Sequence, residues 1–330
     1  MSISFKEDHI SQIPALLMLE KLGYTYLTPD EALALRGGNL ANVLLEPVLR
    51  KQLAAINVVQ VSSVRTTVFS EQNITAGIDA LRNIPMDEGV MVASQRGYHR
   101  LTSGKTLQQI VDGDRKSFVM QYIDWKNPRN NVFHVTEEFA VSRTGMTETY
   151  RPDIVLFVNG IPLCVIECKR PDVKDSIEQA ISQHLRNQKA DGIRSLYLYS
   201  TLLLAINRQE GSYATTATPE KFWARWREQF ANREEEVRYR QELERVVNEP
   251  LLDDKLFVER FGYVRRNFEE LYKQPVTPSV QDEYLYNLCR PERLLQLMYG
   301  FPLYDDGIKK VARYQKYFAV RQTMRRIRHI

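Results

Sequence analysis

Apolar residues recur at helical spacing near the start of the chain. Ile13, Leu16, Leu19 and Leu22 lie three apart, Leu17 widens the stripe, and Gly23 stops it, which predicts a helix over 13–22. Pro14 falls in its first turn, where a missing N–H costs nothing. A second helix is predicted over 40–56 from Leu45, Leu49 and Leu53, with Pro47 placing its true start near Glu46. Residues 58–69 have strand character, and 75–84 read as a short helix. From Gly89 to Tyr150 the pattern is one of strands and turns, clearest at 90–92, 116–123 and 132–141. Residues 152–169 form the strongest strand pair. A helix follows over 173–189, with Ile177, Ile181 and Leu185 on one stripe. Leu196 to Ile206 is continuously apolar and reads as a strand. After Pro219 the composition shifts to Glu and Arg at helical spacing over 220–247. Residues 282–330 read as helical again, broken at Gly300-Phe301-Pro302. These shifts predict a main domain at 1–230, a helical connector at 231–280, and the start of a further, truncated unit at 281–330.

Composition narrows the class. With 43% hydrophobic and 26% charged residues, the 330-residue chain has the balance of a globular domain. No apolar run reaches the roughly 18 residues that span a membrane. The N-terminus lacks the basic and apolar regions of a signal peptide. The three cysteines, Cys164, Cys168 and Cys289, contain no CxxC pair, which argues against a disulfide framework or structural zinc and for the cytoplasm. The net charge of +4 is compatible with a nucleic-acid partner. Eight Lys or Arg against one Asp fall between Asp306 and Ile330. They mark either a basic surface for such a partner or a solvated helix face.

The chemistry concentrates in RPDIVLFVNGIPLCVIECK, residues 151–169. Asn159-Gly160 between two apolar runs is a strong hairpin signal. Asp153, Glu167 and Lys169 stand at the outer ends of that hairpin, where an apolar strand pair gains nothing from charge. Glu167 and Lys169 are two apart and project from one face. A tight two-residue turn would set Asp153 opposite Ile166 and point Glu167 away. A one-residue bulge, or a wider loop, within 159–163 corrects this, and Pro162 is a suitable place for it. Two carboxylates held together repel, and a hard divalent cation such as Mg²⁺, which prefers oxygen ligands, relieves that repulsion. A neighbouring lysine can then stabilise charge that develops on a phosphoryl group. The competing reading is a salt-bridged strand end.

This stretch resembles the nuclease motif of the R (restriction, or HsdR) subunit of type I restriction-modification enzymes, R-P-D-x-V-x-F-x-N-G-x-P-L-x-x-x-E-x-K, at every fixed position. Three further segments resemble that family: Leu16 to Tyr24, Leu44 to Asn57, and Gly307 to Ile327. The resemblance implies an α/β fold of the PD-(D/E)xK restriction-endonuclease type, a mixed sheet flanked by helices and followed by a helical connector. It implies Asp153 and Glu167 as ligands of Mg²⁺ (or Mn²⁺), the backbone carbonyl of Cys168 as a further ligand, and Lys169 as the catalytic lysine. Gln179 and Gln183 fall where relatives carry a supporting Q-x-x-x-Y motif. Asn187 stands in place of that tyrosine, and a solvated helix face is the competing reading for the two glutamines. Glu46, with Glu20 as a weaker rival, is a candidate further site carboxylate, weighed against an ordinary surface glutamate. Gln315 is the candidate adenine contact of a motor domain beginning where this sequence ends, with Lys316 as its rival for that position.

The family further implies double-stranded DNA as substrate, modification (methyltransferase) and specificity subunits as partners, and ATP-driven translocation by the full-length protein. Ser103-Gly104-Lys105-Thr106 resembles the end of a phosphate-binding loop, but His99 stands where that motif needs glycine, so it reads as a turn. The five histidines show no metal-ligand spacing. Two other readings stay open: a non-catalytic DNA-binding and docking module, and a structure-specific nuclease of the RecB-like kind.

Overall fold

The computed structural model describes residues 11–250 and 254–328, in which the apolar runs build one six-stranded mixed sheet. Its strands are β1 (Thr25–Leu27), β2 (Phe133–Glu137), β3 (Ile154–Val158), β4 (Ile161–Cys168), β5 (Leu202–Ile206) and β6 (Gly211–Ala214). They lie side by side in chain order. The β1–β2 and β4–β5 pairs are parallel and the other three antiparallel. Every residue of β3 and β4 is buried. That is why both read as unbroken apolar runs: each face of the sheet is covered.

The β3–β4 hairpin turns tightly at Asn159 (φ 52°) and Gly160 (φ 82°). Val158 pairs with Ile161 and Phe157 with Pro162, and then Leu156 pairs with Cys164. Leu163 is therefore the extra residue of a one-residue bulge, beside the proline that cannot join the ladder. The irregularity expected within 159–163 is present together with the tight turn. Beyond the bulge Ile154 pairs with Ile166, so the next residues outward are Asp153 and Glu167. The turn is seated on Leu45, the residue that opens the helix Glu46–Ile56: Leu45 N–H donates to Gly160 O at 2.9 Å, and a Cβ on Gly160 would stand 2.6 Å from Leu45 O. Gly160→Ala is therefore expected to destabilise the protein by more than about 1 kcal/mol, measured by denaturant unfolding; an unchanged midpoint would contradict this seating.

The helices that precede β2 include α1 (Ile13–Lys21), α2 (Glu46–Ile56) and α3 (Glu71–Arg82). The start of α2 falls where Pro47 required. The third begins earlier than expected because the Ser70 hydroxyl accepts from Asn73 N–H and caps it.

Two strand expectations are corrected. Val90-Met91-Val92 opens a helix, α4 (Val90–Ser103), in which Ala93, Gly97 and Leu101 form the buried stripe. Three consecutive apolar residues outweighed a helical period that only the longer window shows. Leu196 to Ile206 is two elements. The first is α6 (Arg194–Tyr199), the second β5, and the Ser200 hydroxyl donates back to Leu196 O where the helix ends. A continuous apolar run does not distinguish a buried helix from a buried strand. The intervening α5 (Ser176–Asn187) matches its predicted stripe and carries the chain across from β4 to β5.

Further on, residues 220–231 are not helical beyond a short turn at Glu220–Phe222, and α7 (Arg233–Val247) starts after an Asn232 cap. The expected helical region 282–330 consists of α8 (Val280–Cys289), α9 (Pro291–Gly300), a hairpin pairing Pro302–Asp305 with Ile308–Val311, and α10 (Tyr314–Arg328). The missed signal was Asp306-Gly307, which takes the same left-handed turn as Asn159-Gly160. The loop-like Ser103-Gly104 ends α4, and a Cβ on Gly104 would meet Met120 O at 2.5 Å, so that glycine serves packing. Leu285 and Leu288 of α8 and Tyr317 of α10 join the same buried cluster as the sheet. Ser11 and Gln281 exchange hydrogen bonds at 2.7 and 2.8 Å. Lys309, buried, docks the second hairpin through Ser94 Oγ and Thr201 Oγ1.

Candidate active site

Asp153 immediately precedes β3, Glu167 is the penultimate residue of β4, and Lys169 follows that strand's end. The bulge thus brings the three ionisable residues to one edge of the sheet. The carboxyl ends of β2 and β5 lie there too, since Glu137 pairs with Ile154 and Glu167 with Ala205.

Asp153 is fixed from several sides. Cys168 N–H donates to its Oδ2 at 2.7 Å, and Lys169 Nζ lies 3.6 Å from the same oxygen. Its backbone carbonyl accepts from Gln12 Nε2 at 2.9 Å and Glu138 N–H at 3.1 Å. Glu167 is held by α5. Gln183 Nε2 donates to its Oε2 at 2.5 Å, and Asn187 Nδ2 lies 3.5 Å from Oε1. Gln183 and Asn187 are four apart, so one helix face presents both amides to one carboxylate. Asn187, where a tyrosine was expected from the family pattern, takes its place in this clamp.

The electrostatics follow from burial. Glu167 is 0% exposed, and burial first, then the Asp153 carboxylate, pushes its carboxyl well above the usual range, while Lys169 pulls the other way. Glu138 is raised by the same two causes in the same order. His184, on α5 between the two amides, is a core histidine. Its Nε2 donates to Leu204 O at 2.9 Å, its Nδ1 takes the Tyr197 hydroxyl at 3.2 Å, and burial lowers it to about 4. It is neutral at physiological pH and secures the helix that clamps Glu167.

A cavity of about 420 Å³ opens beside Asp153. Gln12, Glu137, Glu138, Asp153 and Cys168 line it together with Arg260, Phe261 and Tyr263. The sequence reading missed Glu137, Glu138 and Arg260. Two acids closing a predicted apolar strand were a usable signal for the first pair. Arg260 sits in the irregular stretch 256–264, where no periodicity could have marked it.

Other expected site residues lie elsewhere. Glu46 is at the turn end of the hairpin, beside Leu45, and pairs with Arg82 at 2.7 Å. Glu20 lies near the end of α1. Gln179 is exposed and closes the loop before α5 by donating to Lys174 O at 2.9 Å. Gln315 is exposed in the first turn of α10. Among the described residues no group of three or more His, Cys, Asp or Glu side chains is arranged to hold a metal ion. What stands ready is a pair of carboxylates, one of them fully buried and strained by the other's charge. Their oxygens are donors of the kind that a hard divalent cation selects, and a cation there would relieve the repulsion. The residues fit such an ion.

The chain matches the family model for the type I restriction enzyme R protein N terminus over residues 4–222, about two thirds of its length. It is 25% identical over 97% of its length to a Methanocaldococcus jannaschii protein provisionally named the type I restriction enzyme MjaIXP endonuclease subunit, covering 28% of that protein. It is 24% identical over 96% of its length to the type I restriction enzyme HindI endonuclease subunit of Haemophilus influenzae, covering 26% of it. A shorter match, 29% identical over 52% of the chain, is to the M. jannaschii MjaVIIIP endonuclease subunit, provisionally named likewise. The chain spans about a quarter of the length of the relatives it matches along its whole length. The chain belongs to the type I restriction enzyme R protein N-terminal family.

Proposed function

We propose that this chain carries a metal-dependent endonuclease centre of the PD-(D/E)xK type that hydrolyses phosphodiesters of double-stranded DNA. The observation that carries the reading is the bulge at Leu163, which aligns Asp153 with Glu167 at the sheet edge and leaves Lys169 Nζ 3.6 Å from Asp153. When bound, Mg²⁺ (or Mn²⁺) would neutralise the carboxylates and polarise the phosphoryl group. Asp153, Glu167 and the Cys168 carbonyl are the residues to hold it. Lys169 keeps its ammonium beside Asp153, where it can donate to a phosphate oxygen as negative charge builds there. Gln183 and Asn187 orient Glu167, and Gln12 orients Asp153 through its carbonyl.

Within the same proposal, residues 1–230 form the nuclease domain and 231–280 a connector. Residues 281–330 open an ATP-driven translocase in the full-length protein, with Gln315 as its candidate adenine contact. That protein would assemble with modification and specificity subunits, so this region would cut without sequence preference of its own.

The test is nicking of supercoiled plasmid by the chain in Mg²⁺ or Mn²⁺, against Asp153→Asn. Cleavage by the wild type that chelator abolishes and the variant lacks supports the reading. Equal cleavage by both would remove it. Gln183→Ala, which strips a donor from Glu167, is expected to weaken Mn²⁺ binding about 10- to 100-fold in a calorimetric titration; unchanged affinity would show that Gln183 does not tune the site.

A further inference from the structure

The edge that carries Asp153 and Glu167 is crowded with negative charge, since Glu137 and Glu138 close the neighbouring strand. Lys169 is engaged with Asp153. A DNA phosphate approaching this edge needs a further cation, placed so that it does not collapse onto the metal-binding carboxylates. Arg260 has that position. It comes from the segment 256–264 and lines the same cavity as Asp153 and Cys168.

Its guanidinium is held by an acid other than the proposed metal ligands. Arg260 Nε donates to Glu137 Oε1 at 2.7 Å and Nη2 to Oε2 at 3.3 Å. Glu137 is 0% exposed, and the Tyr26 hydroxyl donates to its Oε1 at 3.0 Å. The buried acid is thereby oriented, and it orients the fork in turn. A guanidinium has five N–H donors in a fixed plane, and these two bonds use two of them. The side chain is 40% exposed and lines the cavity, so an anion entering there can reach the guanidinium. A planar fork suits paired phosphate oxygens better than an ammonium does.

We propose that Arg260 is a phosphate-binding residue of the nuclease centre, presented by Glu137 and Tyr26 to the non-bridging oxygens of the DNA strand being cut. This rests on the endonuclease reading and adds to it a residue outside the motif and outside the family-matched segment 4–222.

The experiment compares wild type, Arg260→Lys and the double variant Glu137→Gln/Arg260→Ala, which leaves no buried charge without its partner. Binding of a 30-base-pair duplex in Ca²⁺ is measured by anisotropy at several salt concentrations, and plasmid nicking in Mg²⁺ alongside. One lost phosphate contact should lower the slope of log affinity against log salt by about 0.9. The double variant should show that drop and cut about 100-fold more slowly. Arg260→Lys should recover the slope while leaving cleavage impaired. A double variant with wild-type slope and rate would overturn the assignment of Arg260 alone. A slower rate with an unchanged slope would also count against it, since no phosphate contact would have been lost. A wild-type chain that neither binds nor cuts duplex DNA would overturn the endonuclease reading, and this inference with it.

Discussion

Lys169→Ala is expected to lower Mg²⁺-dependent DNA cleavage by about 10²- to 10³-fold or more while metal binding persists. The ammonium lies beside Asp153 and can donate to a phosphate oxygen without holding the metal. Its side chain is 14% exposed and lies beside Asp153, so it acts from a fixed and mostly water-excluded position. Truncation removes a donor aimed where charge builds and leaves the carboxylates intact. Lys169→Arg should not restore activity, because a wide planar fork does not replace a compact ammonium in that space. The measurement is the single-turnover nicking rate at saturating Mg²⁺, with Mn²⁺ affinity measured in parallel. In the full-length protein, translocation should continue in the variant. Undiminished cutting would mean that Lys169 is only the partner of a salt bridge.

Glu167→Gln is expected to have opposite effects on activity and on stability. Cleavage should fall by at least about 10³-fold, since a buried carboxylate of the proposed metal site is lost. Stability of the metal-free protein should rise. The Glu167 carboxyl is held above its unfolded value, burial being the larger cause and Asp153 the second. The native state therefore favours the proton. Stability from this group is complete below the unfolded value and drains away as pH rises through the folded one. Glutamine does not titrate, so the advantage of the variant should widen from pH 5 to pH 9 in thermal unfolding without metal. Mg²⁺ should stabilise the wild type and not the variant. A variant that is less stable than the wild type at every pH would show that Glu167 is not a strained acid awaiting a cation.

The site was largely legible because its logic is local. Asn159-Gly160 marked the turn, two-residue alternation put Glu167 and Lys169 on one face, and the mismatch with Asp153 demanded a bulge that the structure places at Leu163. Position 183 was flagged by the family pattern, and the amide at 187 became intelligible only when α5 was seen to carry both to Glu167. Glu137 and Glu138 carried a signal that went unused, as paired acids in a predicted strand, and Arg260 was not legible, since tertiary folding alone brings the segment 256–264 to the same cavity.

The fold was legible where one period dominated, as in α1, α2, α5 and the central hairpin. It failed at 90–92 and 196–199, where short apolar runs fit helix and strand equally well. It failed again at 302–311, where an Asp-Gly turn went unweighed beside a long basic segment. Glu46, a candidate further site carboxylate from the sequence, sits at the turn end of the hairpin with Arg82. A helix can be placed in sequence long before its end can be placed in space.

The central claim is that Asp153 and Glu167 share a divalent cation. Anomalous scattering from crystals soaked in Mn²⁺ addresses it most directly. An anomalous peak between the two carboxylates is expected, lost in Glu167→Gln; no peak there at saturating Mn²⁺ would contradict the proposed centre and favour a docking module that cuts nothing.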